Sequence, residues 1–184
     1  MRYDPTIMQT RKPCNREKRG NLNTTALRIG LGEDTHRLAE GGPLRLGGVD
    51  IPHDRHALGH SDADVLLHAV TDAVLGAAGL ADIGELFPDT DAANKNRDSA
   101  EMLHLAHERI AAAGFQIVNL DCVVNAQLPK LAPHKGAIRQ RLAEILSVSC
   151  ERVNFKAKTG EGAGPVGEQQ IIQARCVALL EKKG

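Results

Sequence analysis

The sequence predicts an α+β fold: a single two-layer domain whose mixed, four- to five-stranded sheet carries helices on one face. Three observations predict it. Segments with strand-like alternation interleave with segments of helical period. The 184 residues suit one hydrophobic core. After residue 26 no repeat, linker or composition break divides the chain.

The elements follow in order. Residues 1–26 hold six basic and two acidic residues and little apolar spacing. They read as a disordered basic extension, or as an Arg-rich transit peptide. The domain then spans 27–184. "LRIGLGEDTH" opens it with strand alternation, and "GGPLRLGGVDIP" (41–52) reads as one short strand ended by Pro52. Ser61 or Asp62 caps a helix running to about Ala78, with Gly79 as its stop. Residues 80–98 form a long loop rich in Asp, Gly and Pro, of the kind that often carries function. Asp98 and Glu101 make a capping box for a second helix ending at Gly114. "FQIVNLDCVVNAQ" (115–127) is a central strand. A turn-rich loop (128–134) precedes a third helix with Ile138, Leu142 and Ile145 on one face. "RVNFKAK" (152–158) and "QIIQARCVALLE" (170–181) are strands joined by a glycine-rich connection.

Composition excludes several functions. Lys+Arg and Asp+Glu are both 23, so no basic field points to nucleic acid. Aromatic residues are 2%, too few for a base-stacking surface. No apolar run reaches the roughly 18 residues of a membrane span. The four cysteines form no C-x-x-C pair, which fits a reducing, cytoplasmic setting; Cys122 and Cys176 sit in apolar runs as small core residues. Residues 27–101 hold fourteen acidic and six basic residues. An anionic ligand there requires cations to reverse the local field.

The chemistry concentrates in "HSDADVLLHAVTD" (60–72), which places two histidines and three aspartates on an otherwise apolar helix. Burying such groups is costly unless they are paired or hold a metal. Asp34 and His36, two apart on an extended strand, face the same way. With His68 they make a three-ligand zinc set that leaves a fourth position open; the same residues also fit ordinary structural side chains. Asp64, His68 and Asp72 stack at i, i+4 and i+8, so Asp64 or Asp72 is placed to accept the second N–H of His68. The alternative is a solvent-facing polar stripe. In "KTGEGAGPVGE" the glycines let backbone N–H groups approach an anion, and Glu161 suits a hard cation such as Mg²⁺; the alternative is a flexible hairpin.

From Leu27 to Leu180 the chain resembles the 2-C-methyl-D-erythritol 2,4-cyclodiphosphate synthase family. The resemblance rests on "RIGLGEDTH", "LGGVDIP", "HSDADVLLHAVTDAVLGAAGLADIGELFPDTD", "AQLPKLAPH" and "VNFKAKTGEG", all in family order. It implies a phosphorus–oxygen lyase of the non-mevalonate isoprenoid pathway. The substrate would be 4-diphosphocytidyl-2-C-methyl-D-erythritol 2-phosphate, and the products the cyclic diphosphate and CMP. By the same resemblance Asp34, His36 and His68 are ligands of a catalytic Zn²⁺. Glu161 is a ligand of a second ion, Mg²⁺ or Mn²⁺. His60 and Thr159 stabilise charge in the transition state. Ser61 and His60 match the loop over the 2-phosphate. Asp82, Ile83, Gly84, Phe87, Asp89 and Asp91 match the erythritol pocket, and Ala126, Gln127, Pro129, Lys130 and Leu131 the cytosine pocket, with Lys158 near a phosphate. Asp64 and Asp72 would support the ligands from behind. The family is homotrimeric, with active sites between subunits and no nucleic-acid or membrane partner. It is cytoplasmic, or in the plastid stroma where the extension is a transit peptide. The sequence departs from the pattern where Pro165 and Glu168 replace the Phe and Arg that line the family trimer's central channel, the binding place of an anionic prenyl diphosphate. A zinc-dependent phosphohydrolase and a non-catalytic nucleotide-binding relative are the competing readings.

Overall fold

The structure, a computed structural model, describes residues 27–88 and 90–183; the extension at 1–26 and Asp89 lie outside the described residues. The described residues form seven strands and five helices. They are β1 (Leu27–Glu40), β2 (Leu44–Leu46), β3 (Val49–Ile51), β4 (Arg55–Ala57), α1 (Val65–Ala78), α2 (Ile83–Leu86), α3 (Ser99–Ala112), β5 (Phe115–Asn125), α4 (Lys135–Ile145), β6 (Val153–Lys158), α5 (Gly164–Gly167) and β7 (Ile171–Lys182). The main sheet has the order β4-β1-β7-β5-β6, antiparallel except for β5–β6. The parallel pair is possible because α4 supplies the crossover. The central strand is β7, with β5 beside it.

Four local readings need correction. The stretch 41–52 is two strands, because Gly47 (φ 63°) and Gly48 (φ 72°) turn the chain into a β2–β3 hairpin. The cap of α1 is Asp64, not Ser61 or Asp62: its carboxylate accepts from the Leu66 and Leu67 amides. The loop 80–98 contains α2 and a 3₁₀ turn at Ala92–Asn94. The stop at Gly79 is as read, with φ 73°. Asp98 caps α3, but Glu101 turns to Arg97 (3.1 Å) instead of closing the box.

The core lies between the sheet and α1, α3 and α4. Ten of the fourteen residues of α1 are buried, so this helix is apolar nearly all round. Its approach to β1 is set by two glycines. A Cβ on Gly32 would lie 1.9 Å from the Ala69 carbonyl oxygen, and one on Gly30 2.0 Å from that of Ala73. Only bare backbone on the inner face of β1, opposite alanines of α1, permits this contact. The residues next along that face are Asp34 and His36, and the residue preceding Ala69 is His68. The close approach therefore builds the site.

The sheet's other face is partly apolar and uncovered in the single chain. Leu27, Ile29, Leu31 and Val177 are 57%, 74%, 65% and 44% exposed, and Leu31 pairs directly with Val177. Beyond them Arg175 forms a two-pronged ion pair with Glu33. Cys122 and Cys176 are buried opposite each other, Sγ to Sγ 3.6 Å, as free thiols. Among the described residues no helix is long and apolar enough to cross a membrane.

Candidate metal centre and adjoining cavities

Three side chains converge where β1 passes α1. Asp34 Oδ2 is 2.9 Å from His68 Nδ1 and 3.1 Å from His36 Nε2, and the two ring nitrogens are 3.2 Å apart. Asp34, His36 and His68 form the one such group of potential metal ligands among the described residues. Ligand atoms bonded to a tetrahedral zinc at about 2.0–2.1 Å stand about 3.3 Å from one another. The observed spacings match that demand, and the donor set of one carboxylate and two imidazoles suits the ion. Lone pairs aimed at one another this closely require a cation or protons between them. Burial opposes ionisation of Asp34, but hydrogen bonding to His36 and His68 outweighs it and holds the carboxyl well below its usual range. Burial likewise opposes charge on His68, and the Asp34 contact overrides it and raises the ring's pKa.

The polar stripe of α1 does not act as one unit. Asp64 is fully buried and turned away from His68. Its Oδ1 accepts from Leu66, Leu67 and Gly47, and its Oδ2 from Gly48 at 2.7 Å. It ties the hairpin turn to the helix start. Asp72 accepts from the Ile83 amide at 2.8 Å and so anchors α2; burial pushes its carboxyl up. Neither carboxylate supports His68, contrary to expectation. The second nitrogen of that ring instead meets Ser99 Oγ (2.9 Å) and Ser61 Oγ (3.1 Å). Sequence spacing gave no signal for Ser99, which lies 31 residues away in another helix.

The ligand face opens into a cavity of about 370 Å³ lined by His36, His60, Ser61, His68, Ile83, Gly84, Phe87, Asn94 and Met102, with Gly59. Seven of these ten residues were singled out from sequence; Gly59, Asn94 and Met102 were not, because nothing local marks them. The wall is braced. Arg97 lies over the Phe87 ring at 4.9 Å and donates to Asn94 Oδ1, and Asn94 donates to the Pro88 carbonyl. The Asn96 amide donates to the His60 carbonyl at 2.8 Å, which pins the His60 loop. Asp82 does not line the cavity; it caps α2 through the Glu85 amide. Asp91 is exposed, beside the 3₁₀ turn.

A second cavity, about 150 Å³, is lined by Ala126, Gln127, Pro129, Lys130, Leu131, Ala132, Lys135, Ala157, Lys158 and Thr159. At its mouth Thr159 Oγ1 donates to Glu161 Oε1 at 2.7 Å. Glu161 holds a left-handed backbone, φ 50°, a strained conformation for a residue with a side chain. The glycine-rich connection is compact here: the single turn α5 packs Gly167 against Gly160 and Gly162. Within one chain the two cavities are separate. Thr35, Gln173, Asn125 and Lys158 stand in one row across β1, β7, β5 and β6. Three strand spacings put the ends of that row about 14 Å apart.

Comparison with known proteins agrees with this architecture. The model of the YgbB family matches residues 27–181. A 2-C-methyl-D-erythritol 2,4-cyclodiphosphate synthase from Gemmatimonas aurantiaca is 58% identical over 154 residues, 84% of this chain and 93% of that protein. A solved 2C-methyl-D-erythritol-2,4-cyclodiphosphate synthase in its CDP-bound form superposes with TM-score 0.77 at 42% identity, over 83% of this chain and 99% of that one. The bifunctional IspDF of Campylobacter jejuni superposes with TM-score 0.83 at 41% identity; the match covers 86% of this chain and 43% of that longer one. On sequence and fold together, the chain belongs to the YgbB family, that of the 2-C-methyl-D-erythritol 2,4-cyclodiphosphate synthases.

Proposed function

We propose that this protein converts 4-diphosphocytidyl-2-C-methyl-D-erythritol 2-phosphate to 2-C-methyl-D-erythritol 2,4-cyclodiphosphate and CMP, a lyase reaction of the non-mevalonate isoprenoid pathway. The observation that carries this reading is the convergence of Asp34, His36 and His68 within 3.2 Å at a cavity that also holds His60 and Ser61. An oxygen of the substrate's own 2-phosphate attacks the β-phosphorus. The bond from that phosphorus to the bridging oxygen breaks, and CMP leaves with the electron pair. No protein nucleophile is needed, so the chain's work is folding the substrate and compensating charge.

Asp34 Oδ2, His36 Nε2 and His68 Nδ1 would hold Zn²⁺, which when bound supplies Lewis-acid polarisation of a diphosphate oxygen. Glu161 would hold a second ion, Mg²⁺ or Mn²⁺. Ser61 Oγ accepts from the Ala63 amide at 3.1 Å, and its hydroxyl would turn to donate to a phosphate oxygen of the substrate. His60 and Thr159 stabilise the charge that builds as the phosphates meet. Ile83, Gly84 and Phe87, with Asp82, Asp89 and Asp91, receive the erythritol. Ala126, Gln127, Pro129, Lys130 and Leu131 receive the cytosine, and Lys158 a phosphate.

The active form is a homotrimer, in which the metal half of each site meets the cytidine half and Glu161 of a neighbouring copy. Two observations support this: the separation of the cavities within one chain, and the uncovered apolar strip on the sheet. The protein works in the cytoplasm, or in the plastid stroma where residues 1–26 serve as a transit peptide.

The test is phosphorus NMR and mass spectrometry of the substrate incubated with protein loaded with Zn²⁺ and Mg²⁺. The expected result is CMP and a cyclic product without added water. A hydrated product would replace this reading with a zinc phosphohydrolase, and absence of CMP would leave a nucleotide-binding relative.

A further inference from the structure

We infer that Ser99 and Asp62 are positioning residues for the metal centre: a directed hydroxyl relay that fixes the tautomer of His68. The inference rests on the metal reading above. His68 Nδ1 faces Asp34 and His36, and its Nε2 lies 2.9 Å from Ser99 Oγ. Ser99 is fully buried, the first residue of α3, and its hydroxyl donates to Asp62 Oδ1. The Ser99 amide donates to the same oxygen at 3.3 Å. The other carboxylate oxygen of Asp62 accepts from Arg45 Nε at 2.9 Å, and Arg45 is held in turn by Asp50.

The direction of each bond follows from what each group can do. Both Asp62 oxygens already accept, one from the Ser99 amide and one from Arg45, so the Ser99 hydroxyl proton is committed to that carboxylate. Ser99 Oγ then faces His68 as an acceptor. With an ion at the centre, the proton of the neutral imidazole is drawn to Nε2, and the lone pair on Nδ1 is directed to the point that Asp34 and His36 also face. A ligating histidine commonly has its second nitrogen fixed in this way by a carboxylate. Here the carboxylate acts through a buried serine rather than directly. Ser61 Oγ, at 3.1 Å, is a second acceptor, but its other partners are the Ala63 amide and, at 3.5 Å, Ser99 Oγ, so it meets the Asp62 carboxylate only through Ser99.

The relay ties three elements to one ligand: β2 through Arg45, the loop before α1 through Asp62, and α3 through Ser99. It belongs to the centre's support, not to the reacting groups. Its removal should therefore change how tightly and in which tautomer His68 binds, before anything about substrate.

Zn²⁺ affinity of chelator-stripped, full-length protein is measured by competition with a chromophoric chelator, alongside nitrogen-15 NMR of the imidazoles. Ser99→Ala and Asp62→Ala should each weaken Zn²⁺ binding about 10- to 100-fold. In the Zn²⁺-loaded parent the His68 Nε2 proton should give a slowly exchanging imidazole signal, and in Zn²⁺-loaded Ser99→Ala and Asp62→Ala it should exchange measurably faster. Ser99→Thr keeps the hydroxyl and should bind within about threefold of the parent, a rescue that loss of packing alone would not give. Parent-like affinity and Nε2-proton exchange in both Ser99→Ala and Asp62→Ala, with binding lost in His68→Ala, would overturn the relay and leave the metal reading standing. Equal Zn²⁺ binding by the parent and His68→Ala would overturn the metal reading itself, and the relay with it.

Discussion

Replacing Gly32 by alanine tests whether the close contact of β1 with α1 builds the metal centre. Gly32 sits in ordinary extended backbone, so alanine is conformationally acceptable and the effect is steric. The new Cβ would lie 1.9 Å from the Ala69 carbonyl oxygen and 2.6 Å from the Ala73 amide nitrogen. Both obstacles are helix backbone and cannot rotate aside. Relief to a tolerable contact opens strand and helix by about 1 Å or more. Overpacking of this kind costs about 1–3 kcal/mol, and the rigid obstacle places Gly32→Ala at the upper end. For a chain of this size that is a fall in melting temperature of about 6–12 °C. His68 precedes Ala69 and moves with it, and ligand positions tolerate only about 0.5 Å of error. Zn²⁺ affinity should fall about 100-fold, as expected for a 1 Å misplacement. Gly30→Ala is the control. Its Cβ would meet Ala73 and Ala77, a turn further from His68. It should destabilise comparably while retaining most of the metal affinity. Thermal melts of the metal-free proteins and chelator competition read the two effects separately. A Gly32→Ala protein that melts within about 2 °C of the parent and binds Zn²⁺ equally well would refute the reasoning.

Three further outcomes are expected. Asp64→Ala orphans four backbone amides and removes a helix cap, and should cost about 3 kcal/mol or more in urea unfolding; Asp64→Asn, which keeps one acceptor oxygen, should lose about half as much. His107 is half-buried, and burial first, then the charges of His104 and Lys183, lowers its pKa below that of a free histidine. The fold thus favours the neutral ring, so this contribution is complete above the unfolded value near 6.5 and declines as pH falls below it. Denaturant melts of His107→Gln between pH 8 and 5 should show a shallower acid loss than the parent, and an identical slope would contradict this. Finally, Ile29→Glu combined with Leu31→Glu puts charge on the uncovered sheet strip and should shift the protein to monomer in sedimentation velocity. An unchanged oligomer would remove the strip from the subunit interface.

Much of the fold was legible because long elements carry their period openly. The face of α4 formed by Ile138, Leu142 and Ile145 is buried as its spacing required. Gly79 ends α1 in the left-handed conformation a glycine stop predicts. The hairpin at Gly47–Gly48 was missed: strands of three residues give too little alternation to be counted as two, and the stretch 41–52 was read as one strand. The cap of α1 was misplaced because several neighbouring polar residues qualify by type, and only the approach of the hairpin turn selects Asp64. The ligand triad could be read in part. Asp34 and His36 share a strand face by period alone, whereas His68 joins them through a packing distance that Gly30 and Gly32 determine. The i, i+4, i+8 stripe misled for the same reason: three side chains on one helix face meet three different neighbours. Ser99, Asp62 and Arg45 come from separate elements, and no local pattern connects them.

One carboxylate, that of Asp64, closes both the first turn of α1 and the bend between β2 and β3. The two segments are remote in sequence yet share a single fastening. Neither can therefore drift or be exchanged alone. A graft of the hairpin from another scaffold would arrive without a matching anchor, and a transplanted helix would leave the bend unheld. For anyone recombining such domains, the natural cut points lie outside residues 44–78, and that stretch is best inherited whole.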